Sequence, residues 1–441
     1  MHGADLLIRG RRVVTPEGVR EACLHVADGR IERVAAYDDV PAGREPVDAG
    51  DLVIIPGLVD THVHVNEPGR TAWEGFETAT RAAAAGGVTT ILDMPLNSIP
   101  PTTSPEALAA KREAAEGIGH VDIGFWGGAL PSNLGRLEEL RAEGVFGFKA
   151  FLCASGVDEF PSLDPEQLRR AMAEIAAFDG LLLVHAETPE GLEDPVGDPN
   201  VYATYLASRP DAAEVRAVRE VVELATETGC RVHVLHVSSA EALGPLEGVG
   251  GVTAETCPHY LTFAAEEIAD GRTEYKCAPP IRGVANRERL WAGLRRGAIS
   301  AVVSDHSPCT PDLKAGSFLQ AWGGVASLQL GLRAVWTRAR ARGFGLEDLA
   351  RWMSEGPARL AGLATKGAIA EGRDADLVLF DPEHVAEVDP AELHHRHPVT
   401  PYAGRRLDGK VAATYLRGMR VFGDEGFGGE PAGRLLERGR A

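Results

Sequence analysis

What most limits the fold of this chain is an alternation. Between residues 53 and 305, eight short β-type runs are separated by stretches of helical pattern. The runs cover 53–64, 88–94, 121–126, 147–152, 181–185, 232–237, 252–257 and 301–305, and helical stretches such as 73–85, 104–116, 211–228 and 286–296 lie between them. Eight strand–helix units over roughly 300 residues fit a closed (β/α)8 TIM barrel, whose usual size is about 250 residues, better than an open sheet. The doubly wound alternative lacks its signature, since no G-x-G-x-x-G turn follows an early strand. Further helices near 318–342 and 346–360 are expected to close the ring.

The two ends of the chain follow a different rule. Residues 1–55 carry short β-type runs at 6–9, 12–14, 24–26 and 31–34, with Asp28-Gly29 as a hairpin signal. That piece is too short to bury a core alone. After residue 365 short strands return at 376–380, 411–416 and 419–422. The expected α/β architecture is therefore a barrel over 56–365 flanked by one small β-sandwich domain, to which 1–55 and 366–425 both contribute. Residues 426–441, rich in Gly, Arg and Glu, are expected as a peripheral tail.

Charge and composition exclude several classes. The net charge is −19, and no basic cluster with interleaved aromatics occurs, so a nucleic-acid partner is not expected. No apolar run reaches the length of a membrane span. Met1-His2-Gly3-Ala4-Asp5 lacks the basic and apolar regions of a signal peptide, and the six cysteines (23, 153, 230, 257, 277 and 309) form no C-x-x-C pair. A cytoplasmic protein with reduced thiols is the expectation.

Barrels place their chemistry at the C-terminal ends of strands. Those ends hold His62 and His64 on the first strand, Lys149 on the fourth, His185 on the fifth, His236 on the sixth and Asp305 on the eighth. Residues two apart on a strand share a face, so His62 and His64 can hold one metal ion, with Asp60 as a supporting partner. An isolated His-x-His is more often a pair of core histidines bonded to carbonyls; six such residues around one barrel mouth are harder to dismiss. Burial lowers the pKa of Lys149, and a neutral amine can take up carbon dioxide to give a carbamate able to bridge two metals. The competing reading is a lysine paired with Asp93 or Glu187. Strand parity favours His236 over His233 as a ligand. His394, His395 and His397 read as a solvated loop, and His259 and His306 as neighbours of the site.

Together, Pro56-Gly57-Leu58-Val59-Asp60-Thr61-His62-Val63-His64, Lys149, His185, His236, Asp305 and the segment 366–378 resemble the amidohydrolase superfamily, in its cyclic-amidohydrolase branch. That branch contains dihydroorotases, dihydropyrimidinases (hydantoinases) and allantoinases. The segments 65–70, 93–98, 255–261 and 304–309 are most similar to the allantoinase pattern. The resemblance implies hydrolysis of a cyclic amide, namely allantoin to allantoate in purine and ureide catabolism. It implies two divalent ions per subunit, with zinc preferred and manganese, cobalt, nickel or iron as alternatives. One ion would be held by His62, His64, Asp305 and an N6-carboxylated Lys149, the other by the same carbamate with His185 and His236. Asp305 would act as general base and then acid. Asn66, Asn97, His259 and Ala278 are the candidate substrate contacts. The partners implied are a small-molecule substrate and copies of the same chain, as a dimer or tetramer.

Two features separate the branches. Dihydroorotases place an arginine two residues after His-x-His, where this chain has Asn66, and hydantoinases carry a tyrosine shortly after the bridging lysine, where it has Ala150-Phe151-Leu152-Cys153-Ala154. A metal-free scaffold of amidohydrolase shape is the alternative of another class.

Overall fold

A computed structural model describes residues 6–439. Eight parallel barrel strands follow in chain order: β1 (Leu58–Val63), β2 (Val88–Asp93), β3 (Asp122–Phe125), β4 (Phe148–Phe151), β5 (Leu181–His185), β6 (Arg231–Val234), β7 (Val252–Thr256) and β8 (Ala301–Val302). β1, β2 and β3 pair in one run, and β4 to β8 in another that begins at Gly127–Gly128. The chain passes from the first run to the second directly after β3, through Trp126. The ring closes where Val63 bridges His306 and the His64 amide donates to the His306 carbonyl at 2.8 Å.

Alternation along the strands sets what lies inside. Leu181 and Leu183 of β5 pack with Val59, Leu92, Phe151 and Leu235 in one cluster, whereas Leu182 and Val184 join the cluster shared with the surrounding helices. Lys149 shares the parity of Phe151, and His185 that of Leu183, so both project inward. The helices start where the sequence supplies caps. Ser104 accepts from the Ala107 amide ahead of Pro105–Ala115, and Asp164 forms a capping box with Gln167 at Pro165–Ala177.

Both termini join one hydrogen-bonded sheet of nine strands. Strand Val53–Pro56 is its hinge, parallel to Leu6–Thr15 on one side and antiparallel to Leu377–Glu387 on the other. As expected, the two ends of the chain build one β-rich domain beside the barrel, with register shifts along its strands and one apolar cluster at its core. Ile8, Val13, Leu24 and Ile54 meet Leu377, Leu379 and Tyr415 there. The stretch beyond 426 returns to the barrel: the Ile123 amide donates to the Arg434 carbonyl, and the Leu436 amide to the Ile123 carbonyl.

Two other expectations shift. The helix expected from 318 begins at Gly331, because a short 3-10 turn at Pro311–Lys314 is followed by a loop that turns through Gly324 at a φ of 156°. His395, expected in a solvated loop, is buried against His306, while the neighbouring Arg396 amide donates to Glu74. No described helix is long and apolar enough to cross a membrane.

Candidate metal centre

His62, His64, Lys149, His185, His236 and Asp305 meet at the C-terminal mouth of the barrel, and none is more than 7% exposed. Asp305 Oδ1 stands 3.2 Å from His62 Nε2 and 3.6 Å from His64 Nε2. Ligand atoms of these three residues all lie within 4.8 Å of one another, a spacing suited to one metal ion. On the other side, His185 Nδ1 and His236 Nε2 face each other at 3.0 Å. Lys149 lies between the halves, its Nζ 3.4 Å from His62 Nε2 and over the Phe151 ring.

Lys149 makes no ion pair among the described residues. Its two expected competitors are engaged elsewhere: Asp93 accepts from Lys111 Nζ at 2.5 Å, and Glu187 accepts from Arg209 Nη2 at 2.5 Å. Burial therefore pulls the Lys149 amine down to about 8, against the opposing charges of Asp305 and Glu255. Burial also drives His64 to about 3, helped by Lys149, and holds His236 well below the usual range. Both imidazoles are thus neutral and carry free lone pairs at neutral pH. Asp305 is held well below the carboxylate range despite its desolvation, chiefly by His62.

Backbone conformation delivers some of these groups. Asn66, Asn97, His236 and Asp305 all have positive φ, at 68°, 73°, 36° and 45°. Such conformations are costly for residues other than glycine and cluster at functional sites. Strand parity does not explain His236, contrary to expectation. β6 ends at Val234, and the chain then turns left-handed to swing His236 into the mouth. His233 pairs in register with the inward Leu183 and faces the interior too, where its Nε2 meets Glu255 Oε2 at 3.0 Å.

Glu255, on β7, is a member of the site that reading the strand ends left out. It accepts from His62 Nδ1 at 2.6 Å, and His62 and His233 hold its pKa near 2 despite burial. Asp60, expected to support an imidazole, accepts instead from the backbone amides of His62 and Ser304 and so ties β1 to β8. Glu187 plays for His185 the part Glu255 plays for His62, accepting from Nε2 at 2.8 Å. Burial lowers His185, but Cys153 and Glu187 lift it to about 9.

A cavity of about 580 Å³ opens above this cluster. Asn97 and Ala278 line it, together with Phe151, Arg209, Lys276 and Trp322. Asn66 and His259 are not among its lining residues. The Asn66 amide donates to the Pro308 carbonyl at 3.4 Å, and His259 is fully buried beside Tyr260. Arg209 and the 313–324 side of the wall carry no sequence motif that marks them; only the fold brings them to the mouth.

The family model described as Amidohydrolase family matches residues 53–421. The allantoinase of Streptomyces avermitilis is 56% identical over 445 residues, covering 99% of this chain and 100% of that one. The allantoinase of Arabidopsis thaliana is 43% identical, covering 97% and 90%. Among solved structures, the L-hydantoinase (dihydropyrimidinase) from Arthrobacter aurescens superposes with a TM-score of 0.92 at 31% identity, covering 99% of this chain and 100% of that one. With barrel, mouth and near-full-length similarity in agreement, the chain belongs to the amidohydrolase family.

Proposed function

We propose that this protein hydrolyses the ring amide of allantoin to give allantoate, as a metal-dependent hydrolase acting on cyclic amides. The observation that carries the reading is similarity to allantoinases over nearly the whole chain, at 56% and 43% identity. The hydantoinase likeness, at 31% identity, fits a relative with the same barrel.

The donor set fits two divalent ions. His62, His64 and Asp305 converge on one side, and the close approach of His185 Nδ1 to His236 Nε2 on the other requires a proton or a cation between two lone pairs. Lys149, neutral in good part near its pKa of about 8, can attack carbon dioxide. A nitrogen–carbon bond would form as one amine proton leaves to solvent, and the resulting carbamate would add an anionic ligand to the donors His62, His64, His185, His236 and Asp305. Bound there, the ions, zinc by preference, would polarise a carbonyl and make water a stronger nucleophile.

The chain's own groups do the rest. Asp305 is ionised at neutral pH, so it can accept the proton of the attacking water and return it to the departing ring nitrogen. Phe151, Leu96 and Trp322 give the cavity apolar wall that limits bulk water, while Asn97 and Ala278 are the wall positions offered to substrate. No arginine follows His-x-His, where Asn66 stands, and the cations on the wall are engaged within the protein, Arg209 by Glu187 and Lys276 by the Ala321 carbonyl, which disfavours a carboxylate-bearing ring such as dihydroorotate. The dimer or tetramer implied by the resemblance belongs to the same proposal, and sedimentation would read it directly.

The test compares kcat/KM of metal-loaded enzyme on allantoin, hydantoin, dihydrouracil and dihydroorotate. Allantoin should lead, because a site built around its ureido arm leaves polar groups unpaired with the plain rings, at a cost of up to about 10⁴-fold. Equal or better turnover of dihydrouracil or dihydroorotate would overturn the substrate and leave the hydrolase chemistry standing.

A further inference from the structure

A metal-binding imidazole carries its proton on the second nitrogen, which commonly donates a hydrogen bond to a neighbour, so that the first keeps its lone pair. At this mouth His62 Nδ1 donates to Glu255 Oε1 and His185 Nε2 donates to Glu187 Oε2, at 2.6 and 2.8 Å. Ionised carboxylates only accept, so the nitrogen facing each must carry a proton and only the other nitrogen is left for a metal. The remaining neighbour of this kind is Asn97, whose amide lies 3.3 Å from His64 Nδ1.

An amide has one donating and one accepting end, and its orientation decides what His64 can do. With Nδ2 toward His64, the imidazole must accept at Nδ1 and carry its proton on Nε2, the nitrogen that faces Asp305. The buried Asn97 Oδ1 then has no partner. A half-turn of the amide places Oδ1 against His64 Nδ1–H and leaves the Nε2 lone pair directed into the cluster. It also places the NH2 group where Oδ1 stood, at a buried position of a residue that borders the cavity.

The backbone around Asn97 is fixed rather than adaptable. Its φ of 73° is one that asparagine tolerates better than most residues, and its carbonyl accepts from Arg70 Nη1 at 2.9 Å. Arg70 is itself paired with Glu159 and stacked over Trp73.

We propose that Asn97 is the positioning residue of His64: its Oδ1 accepts from Nδ1–H and so presents Nε2 to the metal. This rests on the reading of the mouth as a metal centre. It gives Asn97 a task that is independent of which cyclic amide is bound.

The experiment is a chelator titration of the cobalt(II)-loaded protein, followed by its visible spectrum and metal content, in wild type, Asn97→Ala and Asn97→Asp. Aspartate keeps an acceptor toward His64, and alanine removes it. Asn97→Ala should release one of its cobalt ions at about 10–100-fold lower chelator than wild type, with an altered spectrum, and Asn97→Asp should retain wild-type affinity. Where alanine does not fold at this left-handed position, Asn97→Gly serves in its place. The proposal is overturned if the alanine or glycine variant holds cobalt as wild type does and only KM rises, or only thermal stability falls. It is overturned equally if aspartate loses metal as alanine does. A wild-type protein that takes up no cobalt would instead overturn the metal reading itself.

Discussion

At Lys149 the environment of one side chain favours the carbamate on which the proposed two-ion centre depends. A buried ammonium without a carboxylate partner is costly, and the chain relieves that cost by shedding the proton near pH 8. Carbamate formation consumes the neutral amine, whose fraction grows as pH rises through that value. Metal-free protein given bicarbonate and zinc should therefore regain activity faster as pH climbs toward 8, with little gain above it; a flat profile of initial activation rate would contradict this. Lys149→Ala should lose metal and activity by more than the about 10–100-fold that an outer partner costs, and small carboxylic acids should restore part of both. Normal turnover in that variant would make the lysine structural. Glu255 belongs to the same scale. Glu255→Ala frees His62 Nδ1 and should weaken metal retention about 10–100-fold, read by the metal content left after dialysis against chelator.

At the scale of elements, strands and loops divide the work differently than pattern alone indicates. The barrel was legible because eight apolar runs of strand length alternate with helices, a period that local sequence carries in full. Lys149 and His185 were legible for the same reason: they sit at strand ends with inward parity. His236 reaches the mouth by leaving its strand, and the left-handed turn at a φ of 36° has no glycine to signal it. Glu255 and His233 were hidden because an inward carboxylate and imidazole one layer below the mouth look like any buried polar pair until the fold joins them to His62. The β domain shared by both ends was legible from its short alternating runs, whereas the bridging role of Val53–Pro56 was not, since a strand that enters the barrel looks the same whichever partners it pairs with. The wall at 311–324 is held by a device with no motif: Lys314 Nζ donates to the carbonyls of Trp322 at 2.8 Å and Gly324 at 2.5 Å. Lys314→Met should loosen this wall and raise KM for allantoin, lowering kcat/KM by about tenfold, or ~1.4 kcal/mol, with metal content unchanged. Steady-state kinetics beside elemental analysis would check it, and an unchanged KM would show that the wall does not shape the site.

Across the whole molecule, barrel and terminal sheet are tied at the face opposite the mouth by a buried charge cluster. Lys366 Nζ lies 2.8 Å from Asp122 and 2.7 Å from Asp376, and Arg417 donates to Asp122 at 2.6 Å. Lys366→Met leaves these buried carboxylates short of one cation and should destabilise the fold by about 3–5 kcal/mol, measured by urea unfolding at neutral pH. Asp122 is lowered by Lys366 and Arg417 against its burial, so the stability its ionised form supplies is present above the ordinary carboxylate range, whereas burial raises Asp376. The Asp122 contribution is lost as pH falls through its depressed pKa, so the gap between variant and wild type should narrow on acidification. The architecture thus keeps its structural charges at one end of the barrel and its chemistry at the other. That chemistry depends on one count. Elemental analysis of protein purified without chelator, on the same sample whose allantoin turnover is measured, should give two divalent ions per chain at full activity. One ion or none in a fully active sample would contradict the two-ion centre built from His62, His64, Lys149, His185, His236 and Asp305.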